Sequence, residues 1–270
     1  MIPKWLKLLR RLDWEKELWV VIYWFFFKGG WTVWPGTRKV LARSNRYERL
    51  YGKELIIVAG DSLAAGVGPV NSLKDSVAAL LGARFPEARV PNLGFNGRDV
   101  AGVLQDFSSL ELPPQDEAKA KFIVVIVGNV DMMMNTIKEN LERDLRELLA
   151  ILGNHTDHVI LVLPGSLAAG PPFHCYERIF RIATEKSDPV RRLFGRVSEE
   201  FAHVHFMGEM FDSLTQKARS EPEKWFSSDR FHPGEAWHEE VFLRIMRFLV
   251  ECGVCETVLR SSEPELKQAL

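Results

Sequence analysis

The 270-residue sequence is poor in cysteine, has no long apolar run and carries almost no net charge. Its three cysteines, Cys175, Cys252 and Cys255, are too few and too odd in number to form a disulfide framework. Cys252 and Cys255 form a CxxC, but no second CxxC or His pair stands near it, so two half-buried cysteines at a helix end are expected there, not a zinc or redox site. A balance of 35 basic against 36 acidic side chains excludes a general nucleic-acid binder, which would be strongly basic. The longest apolar run, Leu18 to Phe27, has ten residues, about half of what a bilayer span needs. No internal repeat or low-complexity tract is present.

The near-zero total hides an asymmetry. Residues 1–53 hold 12 Lys/Arg against 4 Asp/Glu, a local charge of about +8, which leaves about −9 on the remainder. Six of the eight tryptophans lie in the same stretch. Trp5, Leu8, Leu9 and Leu12 share one helical face, with Lys4, Lys7, Arg10 and Arg11 on much of the rest. Two readings stand side by side: an interfacial anchor on an anionic membrane through residues 1–34, or an arm that packs its aromatics on the following domain. Either arrangement could wall an acyl-binding pocket. No small-residue cleavage site follows the apolar run, so a secretory signal is not expected and a cytoplasmic location is. Composition divides the chain into this segment (1–52), a central domain (53–255) and a polar tail (256–270).

The central region alternates apolar strands with helical periods. Glu54–Ala59, Lys121–Val127 and His158–Leu163 are continuous apolar runs, with Arg89–Leu93 and His203–Met207 as weaker candidates. Helical periodicity runs over Leu73–Phe85, Ile137–Gly153, Phe173–Leu193 and Glu235–Cys252. Such a pattern predicts an α/β fold, a mostly parallel sheet covered on both faces, with its site at the carboxyl ends of the strands.

The informative residues fall at those ends. The first strand runs into Gly60-Asp-Ser-Leu63, which puts Ser62 at the sheet edge before a helix N-terminus that favours developing negative charge. The same serine could serve only as a turn cap. Near the C-terminus, Asp229-Arg-Phe-His232-Pro233 has a spacing that lets a carboxylate reach one imidazole nitrogen and leaves the other to take a proton from a serine. Alone, this piece reads better as a solvated loop with an N-capping Asp. The other histidines carry no role: His203 and His205 share a strand face without a third metal ligand, His155, His158 and His238 read as surface residues, and His174 sits in a loop that could line a pocket.

Taken together, GDSL at 60–63 and DxxHP at 229–233 resemble the first and last motif blocks of the SGNH (GDSL) hydrolases. Asn92-Leu-Gly-Phe-Asn-Gly97 resembles the second block and Gly128-Asn-Val-Asp131 the third, over roughly Glu54–Val250. The resemblance implies a three-layer, flavodoxin-like fold with a five-stranded sheet. It further implies a serine esterase or lipase with Ser62 as nucleophile, His232 as base and Asp229 as the residue orienting that base. By the same match the oxyanion is held by the N–H groups of Ser62 and Gly97, with Gly94 as second choice for the glycine. The third block departs from Gly-x-Asn-Asp: Val130 stands where the amide donor belongs, which points to Asn129 as the donor through a one-residue shift. No metal or organic cofactor is implied. The substrate class is a lipid, lysophospholipid or small acyl ester, with no nucleic-acid partner. A non-catalytic acyl-binding protein, an acyltransferase and a deacetylase are the alternatives on the same residues.

Overall fold

A computed structural model of the chain describes residues 35–255 apart from 110–118, 164, 167–168 and 171–176. Five lanes of parallel strand form the central sheet. β1 (Glu54–Gly60) pairs with β4 (Phe122–Ile126) on one side and with β2 (Ala88–Arg89) and β3 (Asn92–Gly94) on the other. β5 (Val159–Val162) and β6 (Val204–Phe206) continue the sheet beyond β4. With β2 and β3 as one interrupted lane, the order is that of the flavodoxin-like doubly wound sheets, in which the strand order reverses beside β1.

The strand sequences are apolar throughout because both faces are covered. Ile57, Ala59, Ile123, Val125, Val159 and Leu161 join one core, and Ile56, Val58, Phe122, Val124, Ile160 and Val162 join the other. On the first face lie α4 (Val100–Ser108), α6 (Lys138–Leu152) and α7 (Glu177–Ser198). Helix α6 buries Leu141, Leu145, Leu148, Leu149 and Leu152, a stripe at helical spacing. The second face is covered by α3 (Val77–Arg84), α8 (Glu209–Ser220) and α10 (Glu235–Glu251). Short helices complete the order: α1 (Pro35–Arg43), α2 (Ser72–Asp75), α5 (Asn129–Met134) and α9 (Pro222–Trp225).

Several elements differ from the sequence expectation for identifiable reasons. The strand expected at Arg89–Leu93 is broken at Pro91, which has no N–H for the ladder and offers only its carbonyl, to the Val58 N–H (3.1 Å). The helix expected at Leu73–Phe85 is two helices, because Ser76 turns extended and caps the second one by accepting from the Ala79 N–H. Helices α1, α4, α5, α8 and α9 were not anticipated.

The compositional boundary at residue 52 is not a boundary of packing. Val40 on α1 is fully buried against Ala65 and Val67, and the Arg43 guanidinium donates to the Gly68 carbonyl (3.0 Å). Arg49 donates to the carbonyls of Gly82, Phe85 and Ala88 around the end of α3. The segment just before β1 is thereby fastened to the domain beside the Ser62 loop. Residues 1–34 and the polar tail 256–270, to which distinct roles were assigned from composition, lie outside the described residues, as do Cys175 and His174. Among the described residues no helix is long and apolar enough to cross a membrane.

Candidate active site

Register brings three motif blocks to one edge. Gly60 is level with Ile126 on β4 and with Gly94 on β3. The residues that follow, Ser62, Gly128–Asn129 and Phe95–Gly97, therefore emerge side by side. Gly60 itself has φ +136, and a Cβ there would overlap the Ile126 carbonyl oxygen, so only glycine fits this close approach of the two strand ends. The Asp61 N–H then donates to that carbonyl (2.9 Å), and the chain turns through Ser62, which is half-buried.

The Asp229–Pro233 turn supplies the charge pair. Asp229 Oδ1 accepts from the Ser227 hydroxyl (2.8 Å) and from the N–H groups of Phe231 (3.0 Å) and His232 (2.9 Å). The other oxygen, Oδ2, takes the imidazole Nδ1 of His232 at 2.6 Å. One carboxylate oxygen thus builds the turn and the other aims the ring, which assigns the Nδ1 proton and leaves Nε2 as the basic nitrogen. Both side chains are almost fully buried. Burial by itself would raise the Asp229 carboxyl; the His232 imidazole and the two backbone N–H groups outweigh it and hold the group down at about 2.

The turn is pressed against the loop that follows Ser62. A Cβ on Gly68, whose φ is +127, would overlap the Pro233 carbonyl oxygen and touch the His232 Cβ. Ser62 Oγ makes no hydrogen bond among the described residues; its loop is tied to the His232 turn through Gly68 and Pro233. Such bonds often tighten only when substrate is present.

The anion-binding candidates separate clearly. Among the described residues, the N–H groups of Ser62 and Gly97 have no hydrogen-bond acceptor. The Gly94 N–H is engaged by Asn92 Oδ1 (2.8 Å), so the second-choice glycine has no donor to give. Asn129 opens α5 half-buried, with its amide oxygen buried and without a partner. Val130 packs instead on the first-face core. Asp131 is buried, and its Oδ2 accepts from the Val100 N–H (3.1 Å), tying α5 to the start of α4.

Two further features escaped the sequence reading. Asp61 and Asp131 are both buried carboxyls, close to Ser62 and Asn129 respectively in the chain. Burial pushes Asp61 up to about 7, helped by the charge of Asp131 and opposed by the N–H groups of Leu63 and Ala64. Asp131 is pushed up to about 7 for the same first reason, with Asp99 adding and Val100 and Thr136 opposing. His238, expected at the surface, is completely buried. It lies on the inward stripe of α10 with Trp237, Val241, Ile245 and Leu249, whose period was visible although the burial of a histidine in it was not. Burial lowers its imidazole to about 4, so it is neutral at neutral pH. His158 and His205 stack at 6.0 Å, and His203 Nε2 meets the Leu149 carbonyl at 2.9 Å. No cluster of metal ligands occurs among the described residues. Cys252 and Cys255 are free thiols, the first exposed and the second half-buried.

The profile of the GDSL-like lipase/acylhydrolase family matches residues 58–240, which spans all four motif blocks. The chain belongs to this family. As a GDSL-like hydrolase it acts on ester bonds. Solved structures with similar folds include TesA, with a TM-score of 0.54 and 20% identity over 73% of this chain and 98% of that one. LAE5, described as an alpha/beta hydrolase enzyme from the metagenome of Lake Arreo, Spain, gives 0.53 and 20% over 76% and 97%. Axe2, an acetylxylan esterase from Geobacillus stearothermophilus, gives 0.51 and 20% over 76% and 96%. At this identity these likenesses establish the GDSL-like fold alone. No curated protein matches the sequence.

The two raised carboxyls give a pH signature. A carboxyl whose folded pKa lies above its unfolded value stabilises the fold below the unfolded value, and that contribution is lost as pH rises through the folded value. For Asp131 the window runs from about 4 to about 7. Replacing Asp131 with Asn removes the penalty of ionising a buried group. Urea unfolding across that window should therefore show the D131N variant gaining on the wild type as pH rises. A constant difference between the two proteins would count against a raised Asp131.

Proposed function

We propose that this protein hydrolyses carboxylic esters through an acyl-enzyme on Ser62, with His232 as general base and Asp229 as the carboxylate that orients it. The observation that carries this reading is the buried 2.6 Å contact of His232 Nδ1 with Asp229 Oδ2, in a turn held against the loop of Ser62 by Gly68 and Pro233.

The chemistry follows from the proton inventory. His232 Nε2 takes the Ser62 proton as Oγ attacks the ester carbonyl. Asp229 stays ionised beside the imidazolium, as its lowered pKa requires. Charge gathers on the former carbonyl oxygen, where the N–H groups of Ser62 and Gly97 converge from neighbouring strand ends. Asn129 adds a side-chain donor: half a turn of its amide replaces the buried, unpartnered oxygen with the N–H₂ group. His232 then returns the proton to the leaving alcohol; a water deprotonated by His232 attacks the acyl carbonyl, the bond to Ser62 Oγ breaks, and His232 returns the proton to Oγ as the acid leaves. Every step draws on side chains, backbone N–H groups and water.

The substrates we propose are acyl esters held at a lipid surface. Val70, Leu73, Phe95, Met134 and Ile137 are exposed large apolar residues, each in a connection that follows the carboxyl end of β1, β3 or β4. Exposed apolar side chains on these connections would favour an apolar neighbour over water. The basic, Trp-rich residues 1–34 lead directly into α1, which packs on the Ser62 loop. Peripheral attachment of that segment to an anionic lipid would therefore hold the site edge near the surface.

A fluorophosphonate probe should label Ser62, and alanine at Ser62, Asp229 or His232 should each lower kcat by at least about 10⁴-fold. Double replacements should cost little more than single ones; multiplicative losses would contradict one shared proton path.

Asn129→Ala should lower kcat by about 10²-fold with KM little changed, the signature of a donor used only in the transition state. An unaltered kcat would leave the oxyanion to the two backbone groups.

With anionic liposomes, the full-length protein should float and high salt should release only part of it, because screening acts on the charges and not on apolar burial. A protein lacking residues 1–34 should stay folded and unbound. Aggregation of the truncated protein would favour the packed-arm reading instead.

A further inference from the structure

His238 belongs to no motif block, yet it is completely buried between the loop of the nucleophile and the helix behind it. Its Nδ1 faces the backbone N–H of Val77 at 3.3 Å. Val77 is the first residue of α3, where an N–H finds no partner within the helix. Because that group can only donate, Nδ1 must be the acceptor, and the neutral ring carries its proton on Nε2. Nε2 faces the Val67 carbonyl at 3.4 Å, which can only accept. Both bonds are longer than the usual value of about 2.9–3.0 Å. The ring has no exposed surface, however, so no water competes for either partner.

Val67 gives these contacts their meaning. Its N–H donates to the carbonyl of Ser62 itself (2.8 Å). His238 Nε2 is thus linked to Ser62 through the two peptide groups that flank the Val67 Cα. Its origin, α10, begins two residues after Pro233, directly behind the base-bearing turn. A second link runs the same way: the adjacent residue, Gly68, is pressed against Pro233. The nucleophile loop is therefore referenced to the His232 segment at two neighbouring positions, once by backbone contact and once by a side chain.

We propose that His238 is a positioning residue for ester hydrolysis: its Nε2–H, through the Val67 carbonyl, sets the distance from Ser62 to His232. The proposal rests on the assignment of Ser62 as nucleophile. It predicts an asymmetry between the two ring nitrogens. The Val77 bond caps a helix and serves stability, whereas the Val67 bond serves rate.

The test uses the full-length protein, a short-chain chromogenic ester, and the variants His238→Gln, His238→Asn and His238→Phe. Glutamine can present an N–H near the place of Nε2, and asparagine an acceptor near the place of Nδ1. H238Q should keep kcat within a few-fold of wild type. H238N and H238F should lose about 10²-fold in kcat with KM little changed, as expected when a reacting group is misplaced by roughly 1 Å. Thermal melts taken alongside should rank H238N at or above H238Q, because asparagine keeps the α3 cap. Equal kcat in Gln and Asn, unchanged kcat in folded H238F, or failure of all three to fold would each overturn the positioning role; if only H238F fails to fold, the Gln and Asn pair decides. Mapping the fluorophosphonate adduct in wild type keeps the two ideas apart. A label away from Ser62 removes the nucleophile assignment, while a label on Ser62 with equal Gln and Asn rates removes only the role of His238.

Discussion

The carboxyl edge of this protein is organised by the pairing of β1 with β4. Five consecutive residue pairs, from Ile56 with Phe122 to Gly60 with Ile126, fix the two strands in register. A slip of one residue would move every side chain of β1 to the other face, and both faces are packed cores, so the register is strongly specified. It sets where each chain leaves the sheet: Ser62 lies two residues beyond Gly60, and Gly128 two beyond Ile126. The close contact at Gly60 adds a steric lock, since no larger residue fits against the Ile126 carbonyl.

Most buried polar groups near this edge hold backbone. Asp61, Asn92, Asp131 and His238 are all buried, and each is bonded to a main-chain group near the Ser62 edge. Backbone leaving a sheet loses its ladder partners, and buried side chains restore them. Such groups resist ionisation, as the raised carboxyls and the lowered imidazole show. Asp229 behaves oppositely, although it is as deeply buried, because one of its oxygens meets an imidazole that can carry positive charge. Burial is common to all of them, and the partner decides which stays charged.

Legibility in the sequence followed the same division. The strands β1, β4 and β5 are continuous apolar runs bounded by polar residues, and they were found within a residue or two of their ends. Helices α6 and α10 were equally plain, because each carries a long, mostly apolar stripe. The short elements were not: α5 and α9 have four to six residues and form through tertiary contacts such as Asp131 with Val100, which leave no periodicity. His238 was misplaced on the surface because a histidine on an apolar stripe looks the same whether water or a backbone N–H meets it. The packing of residues 40–49 on the domain was hidden for a related reason. Basic residues such as Arg43 and Arg49 can serve as carbonyl donors inside a fold, and charge counts do not reveal that.

By itself the sequence determined the parallel α/β architecture, the order of the four motif blocks and the family, because these depend on patterns local to ten or twenty residues. For Asp229 and His232 the three-residue spacing allows a meeting, and the bonds that build the turn bring it about. What tertiary structure decided was which groups are already occupied. Asn92, which takes the Gly94 N–H locally, is tied to the Ala64 carbonyl, and Asp131 is fixed in the core contact between α4 and α5 while Asn129 stands at the half-buried start of its helix. His238 joins residues separated by 161 and 171 positions. A hydrogen bond is a relation between two groups at about 3 Å, and residues far apart in the chain reach that distance only when the sheet and its covering helices have packed.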